Sequence, residues 1–270
     1  MTRVVSCAKT GSGLRIEPFA DEDIARDAFL GGRVSLCQPV KGYRSGTDPV
    51  LLAAATDART GQSVLELGCG AGAAMCCLGV RVPGLTLSAI EVQPAYAALA
   101  RKNLSENALA GQVWEGDLSA PPAGLKQQSF DHVIANPPYF EAGKRIGADD
   151  AGREVALAGE TPLSDWVAFA AKRLKPRGFA TFIQRIERMP EMLSAMSLHL
   201  GALELLPFLP REGRPPRLVL LRGRKDGRAP FRFHAGAVIH AGDTHVEPGT
   251  HYTPLFEDIL LRGGALPFSR

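Results

Sequence analysis

Residues Ala135 to Phe140, with the sequence Ala-Asn-Pro-Pro-Tyr-Phe, are the part of the chain best suited to chemistry. They follow an apolar run, Phe130 to Ala135, that is typical of a buried strand. Two consecutive prolines cannot donate hydrogen bonds to a neighbouring strand, so they end sheet pairing and hold the next backbone atoms in one geometry. The sequence therefore predicts a rigid polar and aromatic corner at the end of a core strand.

This corner has the groups needed to activate a conjugated amine. The amino group of a nucleobase is a poor nucleophile because its lone pair is delocalised into the ring. If the Asn136 side-chain oxygen and the Pro137 carbonyl accept its two N–H bonds, the nitrogen moves toward tetrahedral geometry and its lone pair becomes available. Tyr139 could stack on the base, with Pro138 and Phe140 beside it as substrate contacts. The pattern favours attack on an activated methyl group, driven by positioning and electrostatics.

A glycine-rich loop follows an earlier predicted strand. Residues Leu65 to Gly72 read Leu-Glu-Leu-Gly-Cys-Gly-Ala-Gly, and Gly68, Gly70 and Gly72 allow a tight turn and close approach to a ligand. Glu66 lies just before the turn. Because NAD and FAD sites use similar loops, this motif alone leaves a dehydrogenase open.

Two more predicted strands end in acidic residues. Glu91, followed by Val92, could accept hydrogen bonds from both hydroxyls of a ribose. Asp117, followed by Leu118, could meet the exocyclic amine of an adenine. The acidic residue at Glu91 also occurs in NAD enzymes, and Asp117 is alternatively an ordinary polar strand end. Hydride transfer has no use for Asn136 and the prolines after it, so the corner favours a methyltransferase.

Strands and helices alternate through most of the chain and must position these residues. A short strand at Arg33 to Pro39 is followed by a helix near Asp48, whose side chain is expected to cap it before the proline at the next position. After residue 183 the pattern changes to two strands, Ala202 to Leu209 and Pro216 to Arg224, that indicate an antiparallel hairpin. The alternation predicts an α/β fold with a mostly parallel sheet. The predicted strands and helices between the first helix and the hairpin are 63–68, 71–78, 85–92, 94–107, 111–117, 129–135, 161–174 and 179–183.

These motifs together resemble the class I, seven-stranded S-adenosylmethionine-dependent methyltransferases of the branch with an Asn-Pro-Pro-Tyr motif. Residues Asp27 to Ala55, with the glycine loop and the corner, are similar to the bacterial tRNA(Val) adenine-37 N6-methyltransferases, and the likeness runs from Asp27 to Ile183. The resemblance implies a Rossmann-like sheet with helices on both faces, S-adenosyl-L-methionine as cofactor and tRNA as substrate. It also implies that Lys41, Arg44 and Asp48, together with Asn136, lie against the cofactor.

Other substrates remain open at this level. Protein glutamine N5-methyltransferases use the same tetrapeptide for the same lone-pair problem, although they carry an N-terminal helical domain for which the first 32 residues give no sign. Guanine-N2 RNA methylation is a third possibility, against which Tyr139 weighs, since phenylalanine is frequent there. A non-catalytic cofactor- or RNA-binding module is disfavoured by the intact Asn136.

Basic residues concentrate between Phe208 and Arg232. The net charge is only +3, but this stretch carries eight basic residues against Glu212 and Asp226. A solvated surface is one interpretation, and a phosphate-contacting patch that includes Arg214, Arg217 and Arg222 is the other.

Composition limits the remaining possibilities. No apolar run reaches the roughly 20 residues of a membrane helix, and no apolar secretory segment begins the chain, so a cytoplasmic location is expected. The five cysteines are scattered as reduced buried thiols would be, the C-terminal histidines match no metal pattern, and His132 is expected in the core.

The expected organisation is an N-terminal extension over residues 1–32, partly irregular, followed by a single methyltransferase domain over 33–270 with a basic hairpin and tail. Residues 141–160 are either a lid over the substrate or a surface loop.

Overall fold

The computed structural model describes residues 14–139, 161–242 and 251–268. Phe140 and the segment 141–160, expected as a substrate contact and a possible lid, lie outside the described residues.

Most of the described strands form one large sheet. Their order is β10-β8-β9-β7-β6-β3-β4-β5, and β11 also pairs with β8. The seven longer strands, β3 to β9, confirm the expected sheet, and β10 and β11 are two-residue additions beside β8. The strands of this sheet are β3 (Ser63–Leu67), β4 (Thr86–Glu91), β5 (Gly111–Glu115), β6 (Phe130–Ala135), β7 (Leu174–Arg185), β8 (Gly201–Leu209), β9 (Leu218–Arg224), β10 (Arg232–Phe233) and β11 (Ala237–Val238).

The strand directions in this sheet bring the ends of several strands to one side. Strands β3 to β7 pair in parallel with their neighbours, whereas β9 is antiparallel to both β7 and β8. The predicted C-terminal hairpin is thus confirmed. Because parallel strands end on the same side, the carboxyl ends of β3 to β7 form one edge, called here the carboxyl edge.

Helices cover both faces of the sheet, as expected. Buried side chains form two main clusters, one containing α1 to α3 and the other α5 and α6. Neighbouring residues of β3 point to opposite sides, so Val64 joins the first cluster and Leu65 the second. The helices are α1 (Asp48–Ala55), α2 (Ala73–Arg81), α3 (Pro94–Glu106), α4 (Ala123–Lys126), α5 (Leu163–Arg173), α6 (Met189–His199) and α7 (Pro254–Glu257), the last continued by a π-helical turn at Asp258–Arg262.

A separate hairpin precedes the large sheet. Strand β2 (Val34–Pro39) was expected, but its antiparallel partner β1 (Ile24–Phe29) was not. Asn103 of α3 holds this hairpin: the Cys37 N–H donates to its Oδ1 at 2.7 Å, and its Nδ2 donates to the Cys37 carbonyl at 2.9 Å and the Ala71 carbonyl at 2.8 Å. The chain leaving β2 is therefore fixed beside the glycine loop.

Two local expectations have different outcomes. His132 lies in the core, as predicted, 5% exposed, with its Nε2 3.2 Å from the Gln62 Oε1. Burial lowers the pKa of His132 to about 4, so the ring is neutral at physiological pH. The prediction that Asp48 caps α1 is wrong, because the residue before the helix is Thr47 and no side chain caps it.

No helix among the described residues is long and apolar enough to cross a bilayer.

The four described cysteines, Cys37, Cys69, Cys76 and Cys77, are buried free thiols, as the sequence predicts.

Candidate active site

The predicted corner, glycine loop and acidic strand ends meet at the carboxyl edge. Strand β3 lies between β4 and β6, with Leu67 paired to both Ile90 and Ala135. Glu91 therefore stands on one side of the loop that follows β3, and Asn136 on the other. This is the point at which strand order reverses in an open α/β sheet, where ligands bind.

The glycine loop makes the turn that the sequence predicts, with φ of 59°, 54° and 81° at Gly68, Gly70 and Gly72. At two of these glycines, neighbouring side chains leave little room for a Cβ atom. A Cβ at Gly68 would lie 2.5 Å from the Trp166 ring, and one at Gly72 would lie 3.2 Å from the Cβ of Ala100. At Gly70 a Cβ would meet only the Tyr43 ring, at an ordinary 3.6 Å. The turn from Gly68 to Gly72 is called here the cradle.

Glu91 is fixed at the mouth of this cradle. Its carboxylate accepts hydrogen bonds from the Gly70 N–H at 2.8 Å and the Gln93 N–H at 2.9 Å. The side chain is 5% exposed, and burial raises its pKa. Each carboxylate oxygen can accept another hydrogen bond, so Glu91 retains the capacity to bind a diol.

Glu66 lies behind the cradle. Its Oε2 accepts a hydrogen bond from the Met75 N–H at 2.9 Å, in the first turn of α2. Burial, with a smaller contribution from Glu91, raises the pKa of Glu66 to about 8. Glu66 thus supports the start of α2 from inside the protein. At the third strand end Asp117 is half-buried, and its Oδ1 accepts the Ser119 N–H at 2.7 Å.

Asn136 directly follows β6, and its side-chain oxygen is unusual in being buried without a partner. Its Oδ1 is buried and has no hydrogen-bond partner among the residues that the structure describes. A buried acceptor without a donor is costly, and such atoms in native proteins call for an explanation in terms of function or a bound group. Pro137 is buried next to it, and Pro138 is half-buried. The corner therefore presents an acceptor suited to an N–H donor from outside the described residues.

Tyr139 is held by a distant residue. Its hydroxyl donates a short hydrogen bond to the Asp48 Oδ2, and the Arg185 guanidinium carbon lies 5.2 Å from the centre of its ring. Burial raises the pKa of Tyr139 well above its ordinary value, and the neighbouring Asp48 adds to the effect. The phenol is therefore neutral and remains a donor to Asp48.

The segment from Lys41 to Asp48 lies beside the glycine loop and the corner, with the Tyr43 ring next to Gly70 and the Asp48 carboxylate at Tyr139. Its middle is fixed by Tyr96, whose hydroxyl accepts from the Tyr43 N–H at 3.0 Å and donates to the Tyr43 carbonyl at 3.3 Å. Arg44 is paired with Asp27 of the hairpin at 2.7 Å. Lys41 is exposed. Of the three residues named from the sequence, only Asp48 is brought into contact with the corner.

The three predicted phosphate contacts separate in space. The loop that carries Arg214 and Arg217 joins β8 to β9 at the carboxyl edge, where the Arg217 carbonyl accepts the Ile186 N–H at 3.1 Å. Arg222 instead faces Thr181 in the middle of β7. Its guanidinium is paired with Glu204 at 2.8 Å and lies 4.2 Å from the centre of the Phe268 ring.

Several residues of the site gave no signal in the sequence. Gln184, Tyr96 and Trp166 lie outside the motifs and are brought in only by packing, and Tyr43 lies inside the Lys41 to Asp48 segment but was not singled out. Gln184 contacts the corner directly.

Comparison with known proteins relates this chain to methyltransferases. Residues 45–161 match the methyltransferase small domain family. A crystal structure of a "predicted O-methyltransferase" from Agrobacterium tumefaciens is similar, with a TM-score of 0.65 and 26% identity over 83% of this chain and 99% of that one. The fold of a Thermus thermophilus 16S rRNA N2 G1207 methyltransferase, solved with AdoMet and guanosine, is also related, with a TM-score of 0.53 and 21% identity over 75% of this chain and 50% of that one.

The fold, the site and these matches are similar to those of class I S-adenosylmethionine-dependent methyltransferases. Among curated proteins, the chain is similar to the tRNA1(Val) (adenine(37)-N6)-methyltransferase of Haemophilus influenzae, at 27% identity over 65% of this chain and 75% of that one. It is likewise similar to the enzyme of the same name from Porphyromonas gingivalis, at 28% identity over 82% of this chain and 91% of that one.

Proposed function

We propose that this protein transfers a methyl group from S-adenosyl-L-methionine to the N6 amine of an adenine in RNA, namely adenine 37 of tRNA(Val). Two features support this function. Its curated relatives carry that activity in their names, and the unpartnered Asn136 oxygen at the carboxyl edge suits an amine that must surrender N–H bonds. The second observation carries the chemical part of the proposal.

The cradle at the glycine loop would hold the cofactor. Glu91 would accept hydrogen bonds from the ribose hydroxyls. Val92, Asp117 and Leu118 would lie beside the adenine, and Gly70 would contact the cofactor with its backbone. Glu66, Gly68 and Gly72 would shape the loop, and Lys41 and Arg44 would stand at the outer margin. When bound, the cofactor supplies an electrophilic methyl group.

The corner activates the amine. Asn136 Oδ1 and the Pro137 carbonyl each accept one N–H of the adenine amine, which draws the nitrogen out of conjugation. As the nitrogen bonds to the methyl carbon, the carbon–sulfur bond of the sulfonium would break and S-adenosyl-L-homocysteine would leave. The methylated nitrogen would carry the positive charge and be strongly acidic, so it would lose one proton to water and no strong base is needed. The contribution of the protein is therefore positioning and fixed dipoles.

Tyr139 orients the base. Its ring, fixed by Asp48 at the hydroxyl and by Arg185 on one face, offers a flat surface on which adenine stacks. Pro138 and Phe140 remain predicted neighbours of the base. The RNA backbone would contact Arg214 and Arg217, whose loop shares the carboxyl edge with the corner, and not Arg222, which is engaged with Glu204.

A methylation assay on defined RNA tests this function. Purified protein is incubated with labelled S-adenosylmethionine and an unmodified tRNA(Val) transcript, alongside a matched transcript in which adenine 37 is replaced by guanine. We expect label only in the first transcript, recovered as N6-methyladenosine by mass spectrometry of nucleosides. Label in N2-methylguanosine, or in a protein glutamine when a cell extract is supplied, would support one of the alternative substrates instead. Cofactor binding without transfer to any of these pools would indicate a non-catalytic module.

A further inference from the structure

Gln184, near the end of β7, is fully buried and contacts the corner with its side-chain amide. Its Nε2 lies 3.3 Å from the Pro137 carbonyl oxygen and 3.3 Å from the Pro138 carbonyl oxygen. Its Oε1 accepts the Arg185 N–H at 2.8 Å. Because this acceptor is occupied by a backbone N–H, the orientation of the amide is fixed and both of its N–H bonds face the prolines.

The position of Gln184 follows from the two prolines. The parallel pairing of β6 with β7 ends at Ala135 and Phe182, after which the prolines offer carbonyls but no N–H groups. Gln184 lies just past that point and reaches across with a side chain where the backbone ladder has stopped. Its amide takes the place of the missing strand contact.

The two proline carbonyls differ in their other donors. The Pro138 oxygen also lies 3.4 Å from the Arg188 Nη1. The Pro137 oxygen has no second donor among the described residues, so Gln184 is the side chain that holds that carbonyl, in addition to the restricted backbone of the prolines. A carbonyl oxygen has two lone pairs, and the second remains for another donor.

We propose that Gln184 is a positioning residue for methyl transfer, acting through the Pro137 carbonyl. This inference rests on the proposed function, in which that carbonyl accepts one N–H of the adenine amine. By holding the carbonyl in one direction, Gln184 keeps its second lone pair beside the Asn136 oxygen, so that both acceptors meet the same nitrogen. A misplacement of reacting groups by about 1 Å is enough to reduce turnover about 10²-fold.

The substitution that tests this is Gln184→Met, which keeps the length and the buried volume but removes both donors. We expect kcat with the tRNA(Val) transcript to fall by tenfold or more, on the order of the effect of small positioning errors. The dissociation constant for S-adenosylmethionine, measured by calorimetry, should change less than about twofold, since the cradle is made by other strands. Gln127→Met, at an exposed glutamine, is the matched control and should behave as the wild type.

A second measurement separates positioning from general loss of structure. Binding is compared for tRNA(Val) with adenine 37 and for the same RNA with purine at position 37, which lacks the amine. Wild-type protein should prefer the adenine RNA, and Gln184→Met should lose that preference while it binds the purine RNA as the wild type does.

Each outcome has a distinct meaning. Equal weakening of both RNAs, or unchanged kcat in Gln184→Met, would overturn the positioning role while leaving the proposed function intact. No transfer to the transcript by the wild type would instead refute the proposed function. The Gln184→Asn variant, shorter but still an amide donor, provides the same comparison if Gln184→Met does not fold.

Discussion

The hydroxyl of Tyr139 donates a hydrogen bond to the carboxylate of Asp48, a residue 91 positions earlier in the chain. Asp48 stands at the start of α1, and Tyr139 follows the strand β6. The contact ties the aromatic end of the corner to the segment that borders the glycine loop, so the proposed substrate surface and the proposed cofactor site are held in one geometry.

This contact predicts graded effects at Tyr139. Tyr139→Phe removes one hydrogen bond and keeps the ring, so kcat should fall by less than about tenfold. Tyr139→Ala also removes the stacking surface and should lower kcat/KM by roughly 10- to 100-fold. Asp48→Asn, which keeps an acceptor for the phenol, should resemble Tyr139→Phe. Steady-state methylation of the tRNA transcript measures all three, and equal losses in the Phe and Ala variants would contradict a role for the ring.

Asn136 should be required for chemistry and not for cofactor binding. Asn136→Ala removes the buried acceptor for the amine and should lower kcat about 10²-fold or more. Asn136→Asp keeps an oxygen in the same place and should retain more activity than the alanine variant. Calorimetric titration with S-adenosylmethionine should show nearly unchanged affinity in both. A retained kcat in Asn136→Ala would remove the basis for the proposed activation of the amine.

The arginine loop should govern the salt dependence of RNA binding. Replacement of both Arg214 and Arg217 by alanine should weaken binding and reduce the slope of log K against log salt by roughly 1 to 2, because each phosphate contact releases counterions. Arg59→Ala is the control, since Arg59 is an exposed arginine in the turn before β3, away from the carboxyl edge. Filter binding between low and moderate salt measures the slope. An unchanged slope would make the loop a solvated surface.

Glu66 should make the free protein less stable as the pH rises. The pKa of Glu66 is about 8 in the folded protein, above its ordinary value near 4.5. Between these two values the folded state holds a proton that the unfolded state has released, so the free energy of unfolding falls as pH increases through this window. Glu66→Gln, which resembles the protonated form, should lack this contribution. Urea unfolding at pH 5.5 and 8 should show a larger fall in the wild type, and parallel curves for the two proteins would contradict the shift.

The glycine loop offers a test of packing. Gly68→Ala places a Cβ 2.5 Å from the Trp166 ring in a left-handed backbone conformation, which should cost about 2 to 4 kcal/mol of unfolding free energy. Gly46→Ala is the control, because no atom lies within 4 Å of its Cβ position, and should change stability by less than about 0.5 kcal/mol. Thermal and urea unfolding measure both. Similar stability in the two variants would show that the loop can move away from Trp166.

Patterns along the chain predicted the architecture well. Glycine turns and proline-stopped strands are encoded by neighbouring residues, so β3 to β9, helices on both faces and the C-terminal hairpin could be read before the structure was known. Strand β1 was missed because its alternation of small and charged residues is weak, and only its pairing with β2 stabilises it. The capping role expected of Asp48 was wrong because α1 already includes Asp48, after Thr47, and the Asp48 carboxylate accepts from Tyr139 of another strand end.

The sequence by itself determined the chemistry that we propose, because Asn136, two prolines and Tyr139 stand in succession after an apolar strand and downstream of a glycine loop. Tertiary structure alone decided which side chains support that chemistry. Tyr139 donates to Asp48, and Gln184 contacts the Pro137 carbonyl. Arg222 is paired with Glu204 and lies away from the loop that carries Arg214 and Arg217. These contacts depend on which strands lie side by side and where each ends, and strand order is set by packing of the whole sheet and not by spacing along the chain.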